Sequence, residues 1–336
     1  MIVMKFGGTS VGSAERMSAT AQIIAASAKP VVVVLSAMSG ITNKLISLAA
    51  GEADFKEILE HHYATTAALG VSQSVDSYLE SLLASASTPA ETVACGELMS
   101  TSIMTAYLRK EGVDAVLIPA LDFMRVDSEA QPDIEAIATK VAKVLEHYGS
   151  HDVYVTQGFI CRDSADRVGT LTRGGSDYTA TLLGEALNAS EIQIWTDVDG
   201  VYTADPRKVK DARCIPTLSY LLADTAARCG AKILHPDCVV PARRAGIEVK
   251  VLDSFHPQAG GTSIGPFENT GGFVAVAALE DSDTATVSLI GTGDIEGLHE
   301  AIPYALEVKL DVNAVRVVVP VARCSEAMNT LNRYIL

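Results

Sequence analysis

The chain has 336 residues, 48% of them hydrophobic, and a formal net charge of −15. That length admits two domains, or one large domain with an appendage, around a sizeable core. The acidic balance excludes non-specific nucleic-acid binding, which needs clustered Lys and Arg to neutralise phosphates. No run approaches the roughly 18 uninterrupted apolar residues of a membrane span, and no basic region with an apolar run and small-residue cleavage site heads the chain, so the cytoplasm is the expected compartment. Cys95, Cys161, Cys214, Cys229, Cys238 and Cys324 are scattered without a CxxC or a Cys/His cluster. That spacing argues against a zinc site or redox pair and for mostly buried thiols.

The first predicted element is an apolar strand over residues 2–6, which delivers Lys5 and then Gly7, Gly8, Thr9 and Ser10 ahead of a helix over 14–28. Glycines let backbone N–H groups approach an anion closely, and the following helix adds unpaired N–H groups and a positive dipole end. Gly-Gly between a strand and a helix is also an ordinary turn. A second strand, 30–35, repeats the logic with Ser36, Ala37, Ser39, Gly40 and Thr42, whose hydroxyls would serve equally as helix caps. Residues 51–93 are helix-rich without a strand pattern and read as a helical insertion beside the site. Glu97 reads as starting another helix, where the dipole favours a first-turn Glu.

Further strands are predicted at 115–118, 153–156, 191–196 and 248–252. Runs such as Val31-Val32-Val33-Val34-Leu35 lack polar alternation. They suit an α/β fold with a mostly parallel central sheet covered by helices on both faces, with ligands at the strand ends. Residues 170–180 crowd Arg173, Gly174, Gly175, Ser176 and Asp177 before an Ala- and Leu-rich helix. Arg can grip a carboxylate with two parallel N–H bonds, the glycines admit a ligand close to the backbone, and Asp can orient an ammonium group, which together fit an amino-acid substrate. Asp177 would serve as a helix N-cap as well.

Residues 194–207 end a strand in acidic turns carrying Tyr202 and Arg207. Tyr202 could flank a base, Arg207 could reach a phosphate, and the Asp residues could hold a metal directly or through water. Asp-Gly and Asp-Pro also mark plain turns. Lys232 is placed at the end of a helix before Pro236, where a cation also stabilises a helix C-terminus. After a Gly- and Pro-containing stretch near residue 265 the pattern changes. Strands at 273–279 and 286–290, a helix at 295–301, strands at 307–310 and 314–319, and a helix at 325–334 make one small α+β module.

In chain order, Lys5-Phe6-Gly7-Gly8-Thr9-Ser10-Val11, Ser36 through Asn43, Gly96-Glu97, Thr156-Gln157-Gly158-Phe159-Ile160, Arg173 through Asp177, Thr196-Asp197 through Asp205-Pro206-Arg207, and Ala231-Lys232-Ile233-Leu234-His235-Pro236 resemble the aspartate kinases of the amino-acid kinase fold. The resemblance implies a catalytic domain over 1–265 and a single ACT-like module over 270–336. It implies phosphorylation of the L-aspartate β-carboxylate by ATP with magnesium, the entry to lysine, methionine and threonine synthesis. Carried onto this chain, it implies Lys5, Gly8, Asp177 and Lys232 as catalytic residues. Ser36, Ala37, Thr42, Glu97, Phe159, Arg173, Ser176 and Asp177 would surround aspartate. Lys5, Gly7, Gly8, Thr9, Ser10, Thr196, Asp197, Tyr202, Arg207 and Lys232 would line the nucleotide site. No protein-borne metal site is assigned. The expected partners are aspartate and ATP, with neither nucleic acid nor membrane, in a homodimer or higher homo-oligomer.

The C-terminal region departs from the family, most of whose members carry two tandem ACT modules. Only the short turn Gly291-Thr292-Gly293-Asp294 separates strand from helix, where a longer loop usually precedes an effector-binding helix. Weak or absent feedback by lysine or threonine is therefore expected. Two readings stay open beside this one: a kinase for another amino-acid carboxylate, and a non-catalytic amino-acid sensor or partner subunit that keeps the pocket.

Overall fold

The computed structural model describes residues 1–171, 174–231, 234–268 and 271–335. Its contacts divide the chain into two compact units, residues 1–197 with 252–258, and residues 198–251 with 259–336.

The first unit runs β1 (Ile2–Phe6), α1 (Ala14–Ala26), β2 (Val31–Leu35), α2 (Ile41–Ala49), α3 (Phe55–Leu69), α4 (Ser72–Ser85), α5 (Pro89–Lys110), β3 (Ala115–Leu117), α6 (Ile134–Tyr148), β4 (Val153–Gln157), β5 (Ile160–Arg162), β6 (Val168–Thr170), α7 (Gly175–Ala186) and β7 (Glu191–Thr196). The strands β3, β4, β2, β1 and β7 lie side by side and all pair in parallel. Every residue of β2 is buried, as a strand covered on both faces must be. Register aligns Phe6 with Leu35 and Trp195, and Leu35 with Gln157. The loops after β1, β2 and β4 therefore leave from one edge of the sheet, the edge where ligands bind in open α/β folds. Residues 51–93 are helical, as expected.

Two sequence expectations change here. Glu97 does not open a helix; it lies in the middle of the long α5 and is buried, only 3% exposed. The start signal sits eight to nine residues earlier: Thr88 Oγ1 accepts from Glu91 N–H at 3.2 Å, Glu91 Oε2 accepts from Thr88 N–H at 3.1 Å, and Pro89 occupies the first helical position. The hydroxyls after β2 do not cap α2, whose N-cap is Gly40 at φ 78° with no side-chain bond.

The second unit holds β8 (Thr217–Ser219), α8 (Tyr220–Arg228), α9 (Pro236–Ala245), the first residues of β9 (Val249–Asp253) and β10 (Thr262–Gly265). β10 pairs in parallel with β8 and antiparallel with β9. It continues with β11 (Gly272–Glu280), β12 (Thr284–Thr292), α10 (Leu298–Ala301), β13 (Glu307–Asp311), β14 (Ala314–Pro320) and α11 (Cys324–Asn332). β11 to β14 form an antiparallel sheet in the order β11-β12-β14-β13, consistent with an ACT-like module. The helix expected over 295–301 is a single turn, because Gly297 at φ 76° starts it and Pro303 follows. α8 ends at Arg228, short of the helix end expected at Lys232, and Lys232 itself lies outside the described residues. Among the described residues no helix is long and apolar enough to cross a membrane. Among the described residues none of the six cysteines is in a disulfide, and all but the half-buried Cys214 are buried.

Candidate active site

Lys5 leaves β1 near its carboxyl end, where strands on both sides fix its backbone. Its Nζ lies 2.6 Å from Asp177 Oδ1 in the first turn of α7. The sequence suggested that Asp177 would cap that helix or orient a substrate ammonium. The N-cap is instead Gly174, in a left-handed conformation, and the carboxylate faces Lys5. The pair is largely buried, and such a pair holds its lysine in one place far better than a solvated pair does.

Gly7 to Val11 wrap tightly around the end of β1, with Gly7 N–H on Trp195 O at 3.3 Å and a 3₁₀ turn over Gly8–Val11. A Cβ on Gly8 would stand 2.9 Å from Ala37 O, so the loops after β1 and β2 touch backbone to backbone only because residue 8 is glycine. Ser10 Oγ bonds Ser254 Oγ at 2.7 Å, and Ser254 Oγ donates to Thr196 O at 2.9 Å. Ser254 thus ties the β1 loop to the end of β7. The sequence reading missed it; its only local signal is a hydroxyl just past a strand's carboxyl end.

Ala37 N–H donates to Glu97 Oε1 at 3.1 Å, and Ser100 Oγ donates to Ser36 O at 2.8 Å, so α5 fixes the loop after β2. Glu97 Oε2 is buried and has no partner among the described residues. Burial pushes the Glu97 carboxyl up to about 7, against the opposing pull of the Ala37 N–H bond. A carboxylate held this way is half ionised near neutrality and gains from an incoming cation.

Phe159 stands at φ 67°, a conformation rare for a bulky residue, held by its N–H on Thr179 Oγ1 at 3.0 Å and by Leu171 N–H on its carbonyl at 2.7 Å. Thr179 and Ser100 are further supports that the sequence did not single out. A Cβ on Gly158 would fall 2.5 Å from Ser176 Oγ. Gly158→Ala is therefore expected to lower stability by about 1–3 kcal/mol through overpacking and to displace Ser176. Thermal unfolding and the KM of the carboxylate substrate, measured together, check this; an unchanged KM would show that Ser176 does not contact substrate.

These segments line an open pocket of about 260 Å³ formed by Lys5, Ser36, Thr42, Glu97, Phe159, Gly174, Gly175, Ser176 and Asp177. It brings together Ser36, Thr42, Glu97, Phe159, Ser176 and Asp177 from the expected substrate set, with Lys5; the buried Ala37 does not line it and meets Glu97 through its backbone N–H. Arg173 lies outside the described residues. A larger groove of about 750 Å³, beside His61, Tyr107 and Lys110, contains none of the expected residues.

Of the expected nucleotide residues, Gly7, Gly8, Thr9 and Ser10 form the loop above, and Thr196 Oγ1 donates to Asp197 Oδ1 at 3.1 Å. Tyr202 and Arg207 belong to the second unit. Tyr202 OH donates to Asp199 Oδ1 at 2.7 Å. Arg207 holds Asp205 through Nε at 2.9 Å and Nη2 at 2.7 Å, and its guanidinium pulls the Asp205 carboxyl down to about 2. Arg207 remains largely solvent-exposed, with donors left for an anion.

A tight Gly-Gly turn at the carboxyl edge of a parallel sheet, a strand-borne lysine paired with a helix-borne aspartate, and a small pocket beside them are the parts of one site. The chain belongs to the amino acid kinase family, whose model matches residues 1–253. Within that family it falls with the aspartokinases. Over 286 residues it is 40% identical to lysine-sensitive aspartokinase 3 of Escherichia coli strain K12, covering 79% of this chain and 64% of that protein. Over 292 residues it is 39% identical to the chloroplastic aspartokinase 1 of Arabidopsis thaliana, covering 78% of this chain and 51% of that protein. The solved structure of E. coli aspartokinase III in complex with aspartate and ADP, in its R-state, matches with a TM-score of 0.73 at 34% identity, over 97% of this chain and 80% of that one. The chain spans less than two thirds of the length of these two curated relatives.

Proposed function

We propose that this chain transfers the γ-phosphoryl group of ATP to the β-carboxylate of L-aspartate, giving 4-phospho-L-aspartate and ADP, as the first step toward lysine, methionine and threonine. The observation that carries the reading is the cavity in which the Lys5–Asp177 pair meets the unpartnered oxygen of Glu97. The aspartate and ADP named with E. coli aspartokinase III support the choice of substrates. The proposed domains are a catalytic domain over 1–265 and a single ACT-like module over 270–336, the latter beginning with β11.

In this reading Glu97 takes the substrate ammonium, Ser36, Thr42 and Ser176 offer hydroxyls to its carboxylates, and Arg173 pairs with one carboxylate. The reacting carboxylate is ionised at neutral pH, so no general base is required. Catalysis then consists of alignment and charge. Lys5, steadied by Asp177, and the N–H groups of the Gly7 to Ser10 loop neutralise charge on the transferring oxygens, with Lys232 on the nucleotide phosphates. Among the described residues no group of three His, Cys, Asp or Glu could hold a metal ion. Magnesium would arrive with the nucleotide, on whose phosphates it would screen charge.

The test is aspartate-dependent ADP release with the acyl phosphate trapped by hydroxylamine, repeated with glutamate. Hydroxamate from aspartate alone is the expected result. Turnover only with glutamate would replace the substrate, and turnover with neither would favour the sensor reading.

A further inference from the structure

The C-terminal module touches both segments on which the proposed nucleotide residues of the second unit lie. β11 is an edge strand of its sheet, and its outer edge is covered. Val276 N–H donates to Thr203 O at 2.6 Å, one residue past Tyr202. Gly230, at φ 97°, approaches the same strand so closely that a Cβ there would lie 2.5 Å from Ala278 O. Glu280, at the strand's end, pairs with Lys208, the neighbour of Arg207, and accepts from Cys324 Sγ at 3.5 Å. Asn329 Nδ2 of α11 donates to Lys208 O at 3.0 Å. Ala204 and Val209 are buried in the module's own apolar core, with Val276 and Met328.

Residues 202–209 form no helix and no strand, so what they pack against decides where they sit. We propose that β11, with the Lys208–Glu280 pair, is a positioning device for the nucleotide-binding segment, so that the C-terminal module sets affinity for ATP and ADP rather than for aspartate. The inference rests on the reading above that Tyr202 and Arg207 contact the nucleotide. It gives the module a role that needs no effector. The bond from Val276 and the Lys208–Glu280 pair are the parts that can be removed singly.

The experiment uses the full chain, with ADP affinity from titration calorimetry and the KM of ATP and of aspartate from the hydroxamate assay. Val276→Pro deletes the donor to Thr203 and is expected to weaken ADP binding about tenfold, the effect of one buried carbonyl left unpaired. Lys208→Met and Glu280→Gln break a partly exposed pair and are each expected to weaken it by about two- to fivefold. The double exchange Lys208→Glu with Glu280→Lys is expected to restore it to within about twofold, and the aspartate KM is expected to stay level throughout. These two milder variants keep the test alive if Val276→Pro unfolds the module. Unchanged ADP affinity in the paired-charge variants, a parallel rise in the aspartate KM, or failure of the exchange to rescue would each overturn the proposal. Tyr202→Ala and Arg207→Ala separate the two readings: if they leave ADP affinity unchanged, the nucleotide assignment itself falls, and if only they weaken it, the positioning role alone falls.

Discussion

Lys5→Ala is expected to lower kcat by about 10²–10³-fold or more, the loss seen when one preorganised charge-stabilising donor is removed from a transition state. The fold is expected to survive. Lys5 sits in β1 between two strands whose main-chain pairing does not need its side chain, and its ion-pair partner Asp177 is on the first turn of α7. The deletion does leave the Asp177 carboxylate without its cation in a mostly buried place, so a stability loss of a few kcal/mol accompanies it. That loss separates from the catalytic one: Lys5→Ala with Asp177→Asn removes both charges and is expected to recover thermal stability without recovering turnover. Hydroxamate formation and thermal unfolding of the three proteins decide the matter. Near-normal kcat in Lys5→Ala would remove Lys5 from the catalytic set.

Much of this architecture was legible because it is written locally. β1 and β7 have the bounds that their apolar residues suggest, since each stops at a glycine or acidic turn residue; β1 is almost wholly buried, while β7 alternates buried Ile192, Ile194 and Trp195 with half-buried Glu191, Gln193 and Thr196. The loops after β1 and β2 and the start of α7 stand out for a related reason: each sets glycines beside hydroxyls or charges at a strand end, although a turn or a helix cap would use the same residues, so only their convergence in space separates the two uses. A first-turn Glu is favoured by the helix dipole, which puts Glu97 at a helix start on sequence alone, whereas the decisive signal is the Thr88 and Glu91 capping box further back. Its importance is not local either. The Glu97 carboxyl is raised because α5 buries it beneath the loop carrying Ala37, sixty residues away in sequence. Ser254 is more distant still, 244 residues from the Ser10 it bonds, and no spacing rule reaches that far. Pairings such as Lys5 with Asp177 need the parallel sheet to be in place before either residue has a neighbour.

Glu97→Gln is expected to raise the aspartate KM by about 10²-fold, the cost of losing one partner of a buried charge-assisted pair, with a smaller change in kcat. The amide keeps an oxygen for Ala37 N–H, so the loop after β2 stays in place and the change isolates the charge. The pH dependence is the sharper readout. The folded carboxyl titrates at about 7, against an ordinary value of 4.5, because burial disfavours the ionised form. An unfolded chain therefore ionises Glu97 first as pH rises, and the folded state loses stability between pH 4.5 and 7, reaching a penalty of about 3 kcal/mol above that window. Below pH 4.5 both states are protonated and the penalty vanishes. Glu97→Gln is thus expected to melt higher than the parent protein at pH 8 and no differently at pH 4. Aspartate reverses the sense of the titration, since its ammonium favours the ionised carboxylate: binding at pH 6 is expected to release a proton, and the parent's aspartate affinity to improve up to about pH 7 and then level. Calorimetry in buffers of different ionisation enthalpy reads that proton directly. If the parent releases none, or Glu97→Gln releases as much, the ammonium is held elsewhere and Glu97 serves only to anchor the loop at Ala37.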